Sequence, residues 1–163
     1  MWHYKFVGLS VMVMLIMLVS LIIIYRKLKI GERGSRKMEV LLVHINFSVY
    51  LGWISIATIA NITAFLVDID WNGFGISPAI WTVSVMSVGI VLALLFIYLH
   101  KDIFYALVVD WAFLGIYLKR TAPGTEAVLL VISAAIIGMI IISVAIVLAI
   151  IKKRVYVIRK SEL

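Results

Sequence analysis

One apolar run of the chain carries polar and aromatic side chains at a helical spacing. Five residues within Val40 to Val67 are separated by four, three, four and four positions: Asn46, Tyr50, Trp53, Ala57 and Asn61. In a helix these spacings place all five on a common face. Trp53 could stack on a planar ligand and Asn61 could hydrogen-bond its polar edge, while Ala57 leaves space. The same face would also suit helix packing, where interhelical hydrogen bonds contribute about 0.6 to 2 kcal/mol.

A carboxylate, Asp110, lies halfway along another apolar run, Ile103 to Leu118. A charge at the centre of a bilayer costs about 2.5 to 3.5 kcal/mol on insertion scales, so Asp110 should face other helices and be neutral or hydrogen-bonded. The structural interpretation pairs it with a neighbouring helix, with the Trp111 indole or with Asn61. The functional interpretation makes it a proton relay or a site for a cationic ligand. We favour the structural interpretation.

The three histidines do not form a metal-binding pattern. His3 precedes the first apolar run, and neither His44 nor His100 has a second histidine or a carboxylate three or four positions away. Asp102 beside His100 is interpreted as a turn pair. The sequence has no cysteine and no HExxH, Gly-x-Ser-x-Gly, Walker or GxGxxG motif. We therefore predict no catalytic residue, no metal, no resident cofactor and no enzymatic activity.

The elements that position these residues follow from composition. Hydrophobic residues make up 65% of the chain and charged residues 14%, with a mean hydropathy of +1.19, against about 25% charged residues in soluble domains. Five apolar runs can be marked off: Phe6 to Tyr25, Val40 to Val67, Ile80 to Leu99, Ile103 to Leu118 and Ala127 to Ile151. Four of the five runs reach the roughly 20 residues that cross a bilayer, whereas the run Ile103 to Leu118 is slightly short. We predict an all-α, five-helix transmembrane bundle that forms a single domain over residues 1–163.

The charges indicate an orientation. Twelve of the fifteen lysines and arginines belong to the loop 26–39, to the Lys101 turn and to the tail 152–163. By the positive-inside rule these segments are cytoplasmic and the amino terminus is outside, in a multi-pass protein of the cell membrane. Basic residues near anionic headgroups explain the net charge of +7 without nucleic acid as a partner.

The stretch from Val49 to Asn61 also carries a family resemblance. Seven of its positions match the pattern Pro-Tyr-Leu-Ala-Trp-Val-Ser-Phe-Ala-Thr-x-Leu-Asn: Tyr50, Leu51, Trp53, Ser55, Ala57, Thr58 and Asn61. This pattern is typical of the last helix of the translocator protein family, also called tryptophan-rich sensory or TspO/MBR-related proteins. The first run resembles the family's passage from its third to its fourth helix. The last three runs resemble the extension of a divergent branch.

The resemblance covers Trp2 to Leu66 and leaves the first three family helices without a counterpart. It implies binding or sensing of a lipophilic small molecule, for which a porphyrin is a candidate, with Asn46, Tyr50, Trp53, Ala57 and Asn61 in contact with it. The family's sterol motif is missing, because Ile62 to Val67 contains neither its Tyr nor its Arg.

Two other functions stay open at this point. The chain could be a structural or interaction subunit whose missing helices come from a partner chain, or a proton-coupled transporter that uses Asp110. The pattern Ala134-xxx-Gly138 in the last run could support a homo-oligomer, because small residues let helices approach closely.

Overall fold

The computed structural model describes residues 7–31, 37–124, 128–152 and 154–155. These residues form five long helices and no strand. The helices are α1 (Val7–Lys27), α2 (Lys37–Glu39, a π-helical segment Val40–His44, then Ile45–Asp68), α3 (Pro78–Leu95 and a π-helical segment Phe96–His100), α4 (Ile103–Thr121) and α5 (Leu129–Ile151). A short 3-10 turn, Gly73–Gly75, lies between α2 and α3.

The all-helical class is confirmed for the described residues. Helix ends lie within three residues of the predicted ends. Helix α3 begins at Pro78, two residues before its predicted start, and is capped by the Ser77 hydroxyl, which accepts from the Ile80 amide. Residues 32–36 of the predicted basic loop and most of the predicted tail, together with His3, lie outside the described residues.

Four helical segments are long and apolar enough to cross a membrane: Val7–Lys27, Val40–Asp68, Pro78–His100 and Leu129–Ile151. Helix α4, with 19 residues, extends three residues beyond its predicted end and reaches about 28 Å. This length is close to a hydrocarbon core of roughly 30 Å.

Helix α4 lies in the middle of the bundle. It packs against α2, α3 and α5, whereas α1 packs mainly against α2, and α3 also contacts α5. The buried side of α4 is formed by Tyr105, Ala106, Val109 and Phe113. The shortest helix therefore has the most neighbours and is surrounded by protein on several sides.

Glycines set how closely α4 approaches its neighbours. A Cβ at Gly138 on α5 would overlap the Phe113 ring, and a Cβ at Gly52 on α2 would lie 3.2 Å from the Tyr105 carbonyl oxygen. Gly138 belongs to the small-residue pattern of the last run, and this surface packs against Phe113 of the same chain. A homo-oligomer stays a prediction.

Large apolar side chains cover the outside of the bundle. Ile16 on α1, Val88 on α3 and Ile137 on α5 are all more than half exposed. Exposed apolar surface of this extent is unfavourable in water and suits acyl chains. The outer surface is therefore that of a protein embedded in lipid.

Most of the described lysines and arginines lie at one end of the bundle, which we call the basic end. Tyr25 at the end of α1 contacts Asp102 at the start of α4, which places Arg26 and Lys27 at the same end as Lys101. At the opposite end, Ser10 near the start of α1 pairs with Asn61 of α2. The outside position of the amino terminus stays a prediction.

Candidate functional site

An open groove of about 440 Å³ lies between α2 and α4 on the outside of the bundle. Each helix contributes four residues at the spacing i, i+3, i+4 and i+7, which is one helical face. The lining residues, which we call the aromatic groove, are Asn46, Val49, Tyr50 and Trp53 from α2, and Phe104, Leu107, Val108 and Trp111 from α4.

Close packing beneath the groove explains its shape. The two helices approach at Gly52, where an added Cβ would lie 3.1 Å from the Val108 Cβ. The larger neighbours point outward and form walls: Tyr50 is 43% exposed, Trp53 54% and Trp111 68%. The result is a shallow site with aromatic walls that opens to the lipid-facing surface.

The structure divides the predicted polar stripe of α2. Asn46, Tyr50 and Trp53 line the aromatic groove, whereas Ala57 and Asn61 are not among its lining residues. The Asn61 side-chain amide donates to the Ser10 hydroxyl across 3.1 Å. The division arises because α1 packs on this part of α2: a Cβ added at Gly8 would lie 3.2 Å from the Phe65 ring, one turn after Asn61.

Asp110 faces α5 instead of the aromatic groove. The Ser143 hydroxyl of α5 donates to Asp110 Oδ2 across 3.1 Å. Asp110 Oδ1 is buried and has no hydrogen-bond partner among the described residues. A neighbouring helix was one of the predicted partners, and Ser143 supplies that bond. The proton-relay interpretation stays a prediction.

A second group of polar side chains is buried at the basic end of the bundle. Asp102 is fully buried and accepts from the Tyr25 hydroxyl at 2.8 Å. Its other carboxylate oxygen caps α4, accepting from the backbone amides of Phe104 at 3.0 Å and Tyr105 at 3.2 Å. Ser48 of α2 also hydrogen-bonds to Asp102. Asp102 thus joins α1, α2 and α4.

Four aromatic rings pack against one another next to Asp102. Phe96 stacks on Tyr105 with ring centroids 3.7 Å apart, and His100 stacks on Phe96 at 5.0 Å. The edge of Tyr25 contacts both Phe96 and His100. A Cβ at Gly31, whose φ is +90°, would overlap the His100 carbonyl oxygen, so this contact requires glycine.

Burial is the main influence on the pKa of Asp102. Desolvation raises the pKa of Asp102, and hydrogen bonds from Ser48 and Tyr25 oppose the rise. A neutral Asp102 would still accept from the two backbone amides that begin α4. The cluster is built to hold helix ends together around an acid that water does not reach.

Comparison with known families adds an independent finding. The sequence model of the family described as "TSPO-like protein" matches residues 1–148. The chain belongs to this family. No curated protein and no solved structure matches it. The match includes α1 to α4 and most of α5, so it extends well beyond the Trp2 to Leu66 range of the helix resemblance.

The family match and the four membrane-capable helices together describe a TSPO-like membrane protein. Within the described part of this TSPO-like chain, no three histidine, aspartate or glutamate side chains group closely enough to hold a metal ion. His44 is buried beside Glu39, with 3.8 Å between Nε2 and Oε1. His100 lies against aromatic rings.

The sequence carried a signal for the buried face of α2, from which Ser48 bonds to Asp102 in this TSPO-like protein. His44, Ser48 and Ser55 recur at i, i+4 and i+11 along α2, which places them on one face. That face is turned away from the predicted ligand stripe and is buried in the structure. Interpreting Asp102 as a turn partner of His100 missed its bonds to Tyr25 and Ser48, because those residues are distant in sequence.

Proposed function

We propose that this TSPO-like protein binds a lipophilic small molecule, such as a porphyrin or a lipid, in the aromatic groove. The observation that carries the proposal is the pairing of two helical faces whose aromatic side chains, Tyr50, Trp53 and Trp111, stand exposed on either side of one groove. Exposed aromatic rings at a concave site offer flat contact surfaces at a low cost in side-chain entropy.

Size and polarity favour the same class of ligand. The groove of about 440 Å³ falls within the range of roughly 300 to 1,000 Å³ that is usual for small-molecule sites. Its walls are apolar or aromatic apart from Asn46, whose side-chain nitrogen donates to the Leu42 carbonyl oxygen at 2.6 Å. The Asn46 side-chain oxygen can then accept from a polar edge of the ligand.

The groove opens toward lipid, which gives the ligand a direct route. A compound dissolved in the bilayer could enter sideways between Trp53 and Trp111 without passing through water. In this proposal Asn46, Tyr50 and Trp53 contact the ligand. Ala57 and Asn61 do not contact the ligand in this proposal, because they lie outside the lining, and Asn61 instead joins α2 to α1 through Ser10.

Equilibrium binding to purified protein in nanodiscs tests the proposal. A porphyrin should bind saturably, followed by its own fluorescence, and Trp53→Ala should weaken binding by about tenfold because a stacking wall is lost. Phe74→Ala is the matched control: Phe74 is 78% exposed but lies outside the groove. Equal affinities for Trp53→Ala and the unsubstituted protein would contradict the proposal.

A further inference from the structure

A second cavity lies at the basic end of the bundle, between the ends of α3 and α5, away from the aromatic groove. Its volume is about 420 Å³. Its lining residues, which we call the basic cavity, are Ile97, Tyr98, Lys101, Ala145, Leu148, Ala149, Lys152 and Arg154. It shares no residue with the aromatic groove.

The inner part of the basic cavity is apolar. Ile97 belongs to the last turns of α3, and Ala145 and Ala149 lie one turn apart on α5. The two alanines have no side chain beyond Cβ, so the space beside α5 stays open. This part of the cavity lies within two helices that are long and apolar enough to span a membrane, so it would be level with acyl chains.

The outer part of the basic cavity carries three cationic side chains. Lys101 follows the last residue of α3 in a left-handed conformation with φ of 57°, and Lys152 follows the last residue of α5. The Arg154 amide donates to the Ala149 carbonyl oxygen at 2.8 Å, and Val155 is buried, so the backbone here is held against the bundle. Among the described lining residues, none is acidic.

We propose that the basic cavity binds the phosphate headgroup of an anionic phospholipid, with part of an acyl chain against Ile97, Ala145 and Leu148. Cations just beyond two helix ends and an apolar recess one turn deeper match a molecule with a charged head and an apolar tail. Basic pockets between transmembrane helices recognise anionic headgroups in this way. Charge-assisted hydrogen bonds from Lys152 and Arg154 would hold the phosphate oxygens.

The role of the cationic side chains can be tested by native mass spectrometry of the purified chain with added phosphatidylglycerol or phosphatidylcholine. The protein should bind phosphatidylglycerol more tightly. Lys152→Gln with Arg154→Gln should weaken that binding by about tenfold or more, since each interfacial cation contributes roughly a fivefold factor. Arg26→Gln with Lys27→Gln removes the same charge from the same end outside the cavity. This control should change the affinity by less than about twofold.

Two further variants test the apolar part. Leu148→Trp would fill the recess and should also weaken binding of phosphatidylglycerol. Val147→Trp adds the same bulk to the neighbouring residue, which is 53% exposed and does not line the cavity, and it should bind as the unsubstituted protein does. Because Leu148 is itself 43% exposed, the substitution can be made without replacing a buried core residue.

Three results would overturn the proposal. Equal binding of the two lipids would remove the headgroup preference. Equal losses for the two charge variants would assign the preference to diffuse charge at this end of the bundle. Displacement of the lipid by glycerol 3-phosphate in molar excess would show a site for a free phosphate compound, in which the apolar recess has no part.

Discussion

The Tyr25 hydroxyl donates a 2.8 Å hydrogen bond to the buried Asp102 carboxylate, which lies 77 positions later in the chain. Through this bond the end of α1 is fastened to the first turn of α4, whose amides the same carboxylate caps. Ser48 adds α2 to the junction. The basic end of the TSPO-like bundle is therefore closed by a polar cluster, while the aromatic groove lies on the outside between α2 and α4.

The first prediction concerns how stability depends on pH. Burial raises the pKa of Asp102 above its ordinary value of 3.8, so the folded chain keeps this proton where the unfolded chain has lost it. The corresponding stabilisation is complete below pH 3.8 and is lost as the pH rises through the folded-state pKa. Asp102→Asn should remove this decrease with pH, as measured by thermal unfolding in detergent from about pH 4 to 7.

Asp68→Asn is the control for that prediction, because Asp68 is exposed at the opposite end of the bundle. It should keep the profile of the unsubstituted protein. If the unsubstituted protein instead became more stable relative to Asp102→Asn as the pH rose, the prediction that the buried Asp102 is neutral would be wrong.

The second prediction compares two helical glycines. Gly138→Ala should destabilise the fold by about 1 to 3 kcal/mol, because its Cβ would overlap the Phe113 ring where α5 meets α4. Gly115→Ala on α4 meets nothing within 4 Å and should stabilise it by about 0.5 to 1 kcal/mol through helix propensity. Unfolding midpoints in the same detergent measure both, and equal effects of the two substitutions would refute the close α4–α5 contact.

The third prediction tests the structural interpretation of Asp110. Asp110→Asn should keep a hydrogen bond with Ser143 and change stability by less than about 1 kcal/mol. Porphyrin binding should also persist, because Asp110 does not line the aromatic groove. Proteoliposomes provide the opposing test: loss of a pH-dependent flux in a folded Asp110→Asn protein would support the proton-coupled transporter instead.

The fourth prediction concerns the orientation of the helices across the membrane. Twelve of the fifteen lysines and arginines belong to segments assigned to one side, so a reporter fused after Leu163 should be cytoplasmic and one inserted at Asn72 external. Replacing the basic residues of the loop 26–39 with glutamine should weaken this preference. Reporters that respond in the opposite sense would show that the orientation is inverted.

Hydropathy was sufficient to predict the helices of this chain. A long apolar run in lipid has few alternatives to a helix, because its backbone groups must bond to one another. Residues such as Pro78 mark where a helix begins. The faces that meet could not be predicted equally well, because α1, α3 and α5 are apolar on nearly every side. No periodicity in such helices separates the surface that contacts lipid from the surface that contacts protein.

The candidate sites, too, could be predicted only where their residues belong to one helix. Asn46, Tyr50 and Trp53 were predicted from spacing within one helix, whereas their opposite wall, Phe104 to Trp111, depends on α2 packing beside α4. Asn61 has the right spacing but turns out to pair with α1. The Asp102 cluster draws residues from separate helices, and no local pattern joins Tyr25 to Asp102.

The central claim is that the aromatic groove holds the lipophilic ligand, and blocking the groove tests it most directly. The chain has no cysteine, so Leu107→Cys provides a single thiol within the groove and Val88→Cys a single thiol on α3 outside it. The two positions are similarly exposed, at 45% and 52%.

Each variant is modified with a benzyl methanethiosulfonate, and porphyrin affinity is measured before and after modification. We predict that modification weakens binding by at least about tenfold for Leu107→Cys and leaves Val88→Cys unchanged. Unchanged affinity after complete modification of Leu107→Cys would contradict the claim.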